Sequence, residues 1–290
     1  MARIFEWQFK VRSYELDSAG RVPTAVVHNY LEEAATRAST DAGFSYDWYF
    51  RNRRAWVVRQ MTARYDDALR YGDEVRVRTW VSDFKRSYSH REYEVWRVRD
   101  NALVARARAK WVYVNLETLR PERIPAAAEA AFDPSGELAP IALWGDGHEG
   151  SGALVVSGDR RVLHDELDPA GHVNNAVYVR WFEQAVRDGF TALGWDWSQL
   201  QREELEILPR GHRIEYFAPA TEGYRLHVNA SLIRVDANRS AWHVRVANTQ
   251  AEAMIAEDYC VIDLVDARTG QAHVPPQLLQ ALQDTAERRS

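Results

Sequence analysis

The chain repeats itself once. Residues 15–25 read Glu-Leu-Asp-Ser-Ala-Gly-Arg-Val-Pro-Thr-Ala, and residues 166–176 read Glu-Leu-Asp-Pro-Ala-Gly-His-Val-Asn-Asn-Ala. Asp17 pairs with Asp168, an offset of 151, and the same offset pairs Glu32 with Glu183, Gly43 with Gly194 and Tyr65 with Tyr216. Without a gap it goes on to pair Gly72 with Gly223, Ala105 with Ala256, Thr118 with Thr269 and Pro125 with Pro276. A register held over more than a hundred residues is a tandem duplication, so whatever one half folds into, the other must be able to adopt. The expected division is an N-terminal domain over 1–125, a linker over 126–150 rich in Ala, Gly, Pro and acidic residues, and a C-terminal domain over 151–290.

Each half reads as one long helix and one antiparallel sheet. Phe5, Trp7, Phe9 and Val11 alternate with polar residues, the period of a half-buried strand. A helix is expected over about 23–42, with Pro23 in its first turn, and its copy over about 174–193. In the second helix Tyr178, Trp181, Phe182, Ala185, Val186 and Phe190 form one apolar face. Gly43 and Gly194 follow the helices as suitable C′ residues. Alternating segments over roughly 55–65, 73–85, 88–99 and 102–115 supply four further strands joined by short turns. The fold class is α+β, one helix packed on one sheet per half, and the duplication is the covalent counterpart of a two-fold dimer.

Composition excludes several functions. The 290 residues are 46% hydrophobic and 27% charged, an ordinary globular balance. A net charge of −5 argues against a nucleic-acid binder, and no apolar run reaches the ~18 residues of a membrane span. With Cys260 as its one cysteine, no intrachain disulfide is possible, and a reducing cytoplasm is the expected compartment. Cys260 itself reads as a buried structural residue on an alternating strand, with no histidine motif beside it. The nine histidines give no zinc-like spacing, and there is no phosphate loop or Gly-x-Ser-x-Gly elbow, so neither metal nor organic cofactor is expected.

Strand, loop, central helix and four antiparallel strands is the order of the hotdog fold, and two fused copies resemble the acyl-acyl carrier protein (ACP) thioesterases. The resemblance is carried by Asp168, then His172-Val173-Asn174-Asn175, then Tyr178 and Trp181, and in the first half by Arg12-Ser13-Tyr14-Glu15 and Lys110-Trp111-Val112. It implies a tandem double hotdog that hydrolyses fatty acyl-ACP or acyl-CoA thioesters. There are departures. The family's loop asparagine is Ala170 here, and its strand Glu-Cys pair is replaced by Pro219 and Ala220. In that respect the loop is more similar to the 4-hydroxybenzoyl-CoA thioesterase branch of hotdog enzymes.

Chemically, Asp168 is the candidate to activate a water as general base or to attack the thioester as nucleophile. His172 is a candidate to hydrogen-bond the water or the thioester oxygen; Asn174 and Asn175 are candidates to hold the water or the carbonyl, or alternatively to cap the helix, and Asn175 reads more as the capping residue. The backbone at Gly171 and Val173, at the start of the helix, is the candidate oxyanion site. In the first half Arg21 and Pro23 replace the histidine and first asparagine, so chemistry is assigned to the second half and the first is read as scaffold and acyl-pocket wall. The expected partner is an acyl carrier protein or a CoA-linked acyl group, with Arg51, Arg53 and Arg54 as a basic cluster for an acidic carrier. The protein is expected to be a monomeric pseudo-dimer or a homodimer. Two other readings stay open: a non-catalytic acyl-binding module, and a hotdog hydratase or dehydratase.

Overall fold

The computed structural model describes residues 3–118, 120–136, 140–144 and 152–288, and it divides into two units, Met1–Ile141 and Ala142–Ser290. In the first, strand β1 (Phe5–Lys10) leads to helix α1 (Thr24–Asp41) and a short helix α2 (Tyr46–Arg51). Strands β2 (Arg54–Tyr65), β3 (Glu74–Phe84), β4 (Tyr88–Arg97) and β5 (Ala102–Asn115) follow, then helix α3 (Ala126–Phe132). The second unit repeats the order as β6 (Ala153–Arg161), α4 (Asn175–Ala192), α5 (Trp197–Arg202), β7 (Leu205–Tyr216), β8 (Arg225–Asp236), β9 (Arg239–Asn248), β10 (Ala253–Asp266) and α6 (Pro276–Glu287). Strand order is β1-β3-β4-β5-β2 in the first sheet and β6-β8-β9-β10-β7 in the second, with antiparallel neighbours throughout. Each unit is a hotdog.

The 151-residue register extends to the irregularities. Bulges interrupt the sheets at Arg59, Ser82 and Val104, and at Arg210, Ile233 and Ile255, three pairs at the same offset. Left-handed residues recur at Arg53 and Glu204, at Asn101 and Glu252, and at Gly43 and Gly194. Both long helices end in the same motif. The amides of Gly43 and Phe44 return to the carbonyls of Thr40 and Ser39, and those of Gly194 and Trp195 to Thr191 and Phe190. This double closure needs a left-handed C′ residue, which explains a glycine at each end.

Packing follows the expected faces. Val75, Val77, Thr79 and Val81 are all buried, whereas Arg76, Arg78 and Trp80 are half-buried on the other face of β3. In α4 all six residues of the apolar face are buried, and the helix lies on β6, β8, β9 and β10. Gly189 sits where α4 meets the sheet closely, since a Cβ there would stand 2.7 Å from the ring of Trp242.

Four shorter helices escaped the sequence reading. Helices α2 and α5 are only six residues long, too short to show a helical period. Residues 126–132 fall in the expected linker yet form α3, whose Ala128 and Phe132 join a core cluster with Val81, Tyr113 and Ile124. The unit boundary at 141/142 also falls inside the expected linker; residues 137–139 and 145–150 of that segment lie outside the described residues. Among the described residues, no helix is long and apolar enough to cross a membrane.

Candidate active site

Five residues singled out in the sequence (Asp168, Gly171, His172, Val173 and Asn174) occupy one turn before α4. The turn is held by the aspartate itself. Its Oδ1 accepts the Ala170 amide at 2.8 Å and the His172 amide at 3.5 Å. The Asp168 amide donates to the His172 carbonyl, and Gly171, at φ +78°, donates to the Asp168 carbonyl. Asp168 and His172 thus meet through the His172 backbone. The turn of Asp17 repeats every one of these contacts with Ala19, Gly20 and Arg21. An aspartate in this turn is therefore first a turn-former, in both halves.

Two expectations about the backbone are corrected. Gly171 and Val173 do not present open amides: Gly171 N–H is bonded to Asp168 at 2.9 Å, and Val173 N–H to the Ala220 carbonyl at 2.9 Å. The reason is local, because the turn closes on itself and its last residue pairs with the strand end beyond β7. The Asn174 amide likewise donates to the Glu166 carbonyl. The first helical amide, on Asn175, has no acceptor within the helix.

The roles of the paired asparagines also change. Asn174 is the N-cap, its side-chain oxygen accepting the Ala176 amide at 2.8 Å. The Asn175 side-chain oxygen is instead buried without a hydrogen-bond partner, and its carbonyl accepts from the Tyr216 hydroxyl at 3.3 Å. A donor brought to this place would satisfy that oxygen. Asn174→Ala is expected to cost about 0.5–2 kcal/mol of stability, the worth of an N-cap, read as a lower thermal midpoint with kcat within a few-fold.

Aromatic side chains wall the turn. Tyr178 packs edge-on against Tyr216, with ring centroids 5.4 Å apart, and its hydroxyl meets the backbone of Ala220. Burial, assisted by the Asp168 and Glu166 carboxylates and opposed by the Ala220 contact, holds the Tyr178 phenol well above its ordinary range, so it stays protonated. Burial would raise the Glu166 carboxyl, but the Leu163 amide, the Trp181 indole and Arg160 outweigh it and hold it low. In the first half Glu15 accepts the Tyr30 hydroxyl where Glu166 accepts the Trp181 indole. These carboxylates brace the loop against the helix. Tyr178 and Glu166 carried no signal of this in the sequence beyond an apolar face and a repeated Glu-Leu-Asp.

The halves differ in what the turn presents. Arg21 is 9% exposed, where His172 is half-buried, and Pro23 caps α1 without a side-chain bond and without the amide that Asn174 supplies. Pro219 and Ala220 lie at the strand end facing the turn, and the Ala220 carbonyl accepts the Val173 amide. Cys260, far along β10, is fully buried, and burial pushes its thiol up to about 11, which rules it out as an ionised nucleophile at neutral pH. Arg51, Arg53 and Arg54 are each paired, with Asp47, Glu117 and Glu122, so the expected basic cluster is largely neutralised.

Residues 2–132 match the family described as the acyl-ACP thioesterase N-terminal domain, and residues 162–282 match the thioesterase-like superfamily. Among curated proteins, a chloroplastic palmitoyl-acyl carrier protein thioesterase of Arabidopsis thaliana is 26% identical over 226 residues, covering 73% of this chain and 52% of that protein. The chain thus spans about half the length of the curated relatives it matches. Among solved structures, the 12:0-ACP thioesterase from Umbellularia californica aligns with a TM-score of 0.69 at 18% identity, over 90% of this chain and 94% of that one. An acyl-ACP thioesterase from Bacteroides thetaiotaomicron aligns at 0.66 and 19% identity, over 90% and 98%. Each half of the chain thus matches one thioesterase family model, and the double-hotdog fold is that of the solved acyl-ACP thioesterases.

Proposed function

We propose that the protein hydrolyses fatty acyl thioesters, with an acyl carrier protein as the thiol partner, and that the second half carries the chemistry. The observation that supports it best is the match of the first half to the acyl-ACP thioesterase N-terminal domain and of the second to the thioesterase-like superfamily. On this reading Asp168 activates the water, or attacks the carbonyl carbon itself, through the carboxylate oxygen not bonded within the turn. The thioester oxygen faces the start of α4, where the Asn175 amide and the helix dipole favour developing negative charge. His172, half-buried beside the same turn, orients the water. Tyr178 and Tyr216 exclude bulk solvent from the reacting carbonyl. The first half, with Arg21 and Pro23 at its turn, serves as scaffold. A reducing cytoplasm is the compartment we assign.

Free-thiol release tests this reading directly, and the protein's own thiol is buried and contributes little background. With a panel of acyl-ACP and acyl-CoA substrates, the expected result is catalytic release, with kcat/KM at least about tenfold higher for the carrier-bound esters. Release from CoA esters alone would reassign the thiol partner. No release from either would leave a binding module.

A further inference from the structure

The second unit contains a buried polar cluster that the proposed chemistry does not use. His212 on β7 faces Cys260 on β10 as its direct cross-strand partner, and Asp258 lies two residues along the same strand face. All three are 0% exposed. His212 Nδ1 is 2.6 Å from Asp258 Oδ2, its Nε2 is 3.3 Å from Glu183 Oε1 of α4, and Cys260 hydrogen-bonds to the same imidazole. One atom is left over: Asp258 Oδ1 is buried with no hydrogen-bond partner.

The duplication supplies an internal control. At the offset of 151, His212, Asp258 and Cys260 correspond to Met61, Ala107 and Ala109, all apolar and all buried. The hotdog therefore fills these three strand positions without any polar group. Burying an imidazole, a carboxyl and a thiol together, with one oxygen unsatisfied, costs stability that the fold does not demand. A second role must offset that cost.

We propose that His212, Asp258 and Cys260 bind one divalent transition-metal ion of the zinc class, while Glu183 of the helix holds the opposite nitrogen of the imidazole. Their ligand atoms already lie within 4.8 Å of one another. Nitrogen, oxygen and sulfur donors in one small cluster suit zinc or cobalt rather than calcium or magnesium, which take oxygen alone. The ion takes the place of the proton between His212 and Asp258, and their separation of 2.6 Å opens to roughly 3.3 Å, the edge of a tetrahedron with ~2.05 Å bonds. A divalent ion with one carboxylate and one thiolate is neutral, so binding releases about two protons, from Asp258 and Cys260, and leaves no net charge in the core.

Cobalt titration of the full chain, stripped with chelator and refolded with and without the ion, tests this. The expected result is one equivalent bound, a thiolate-to-cobalt absorption band, and a thermal midpoint several degrees higher with metal. The exchange His212→Met, Asp258→Ala, Cys260→Ala installs the first half's own residues and is expected to abolish uptake and band together. Should that chain fail to fold, Cys260→Ser is expected to lose the band and bind at least about tenfold more weakly. No uptake by the wild type, uptake without the thiolate band, or undiminished binding in either variant would overturn the proposal.

Discussion

Asp168→Asn is expected to lower kcat at least about 100-fold, the lower end of what a general base supplies, while the thermal midpoint stays close to wild type. The separation follows from the turn. Asparagine keeps a side-chain oxygen that can accept the Ala170 and His172 amides, so the structural role of the aspartate survives. What it removes is the ionised oxygen. Asp168→Ala removes both, and is expected to lose activity and stability together. Asp17→Asn is the matched control, because its turn has the same hydrogen bonds. Its kcat is expected to stay within a few-fold, since Arg21 stands nearly buried in the place of His172 and leaves that turn without the imidazole. Steady-state kinetics on an acyl-ACP substrate with parallel melting curves check all three. Equal losses in Asp168→Asn and Asp17→Asn would mean that both turns work, or that neither does chemistry.

Gly189→Ala is expected to destabilise the second unit by about 1–3 kcal/mol, the cost of overpacking a filled core. Alanine is otherwise the better helix former by about 1 kcal/mol, so the sign depends on the contact alone. The added methyl would meet two ring carbons of Trp242 at 2.7 and 2.9 Å. That ring is fully buried against Phe190, with centroids 5.6 Å apart, and cannot retreat without moving its neighbours. The first half shows the pair exchanged, with Ala38 on the helix and Arg91 on the strand. Combining Gly189→Ala with Trp242→Phe should therefore recover part of the loss attributable to the glycine site. A double-mutant cycle from denaturant melts measures it, and additive losses would show that the two residues are not coupled.

The duplication made the fold legible. One offset carried the helix ends, the strand alternation and the glycines, and those features are read by local rules of period and turn geometry. Helices α2, α3 and α5 were not legible, because six or seven residues do not establish a period, and α3 is held by Phe132 and Ala128 meeting a core the linear text cannot show. For the candidate site, the turn was visible but its wiring was not. That Val173 is bonded to Ala220, 47 positions away, and that Asn174 rather than Asn175 caps the helix, are facts of tertiary placement. The same holds for Cys260: its histidine stands on another strand, directly opposite, so no spacing motif could announce it.

The central claim is that a carrier-bound acyl chain is cut at the thioester carbonyl. Mass spectrometry of the acyl-ACP after incubation with the full chain tests it most directly. The account requires the carrier to lose the acyl mass and free fatty acid to appear in equal amount. A carrier that keeps its acyl group, or one whose acyl group gains or loses the mass of one water while still attached, would contradict it.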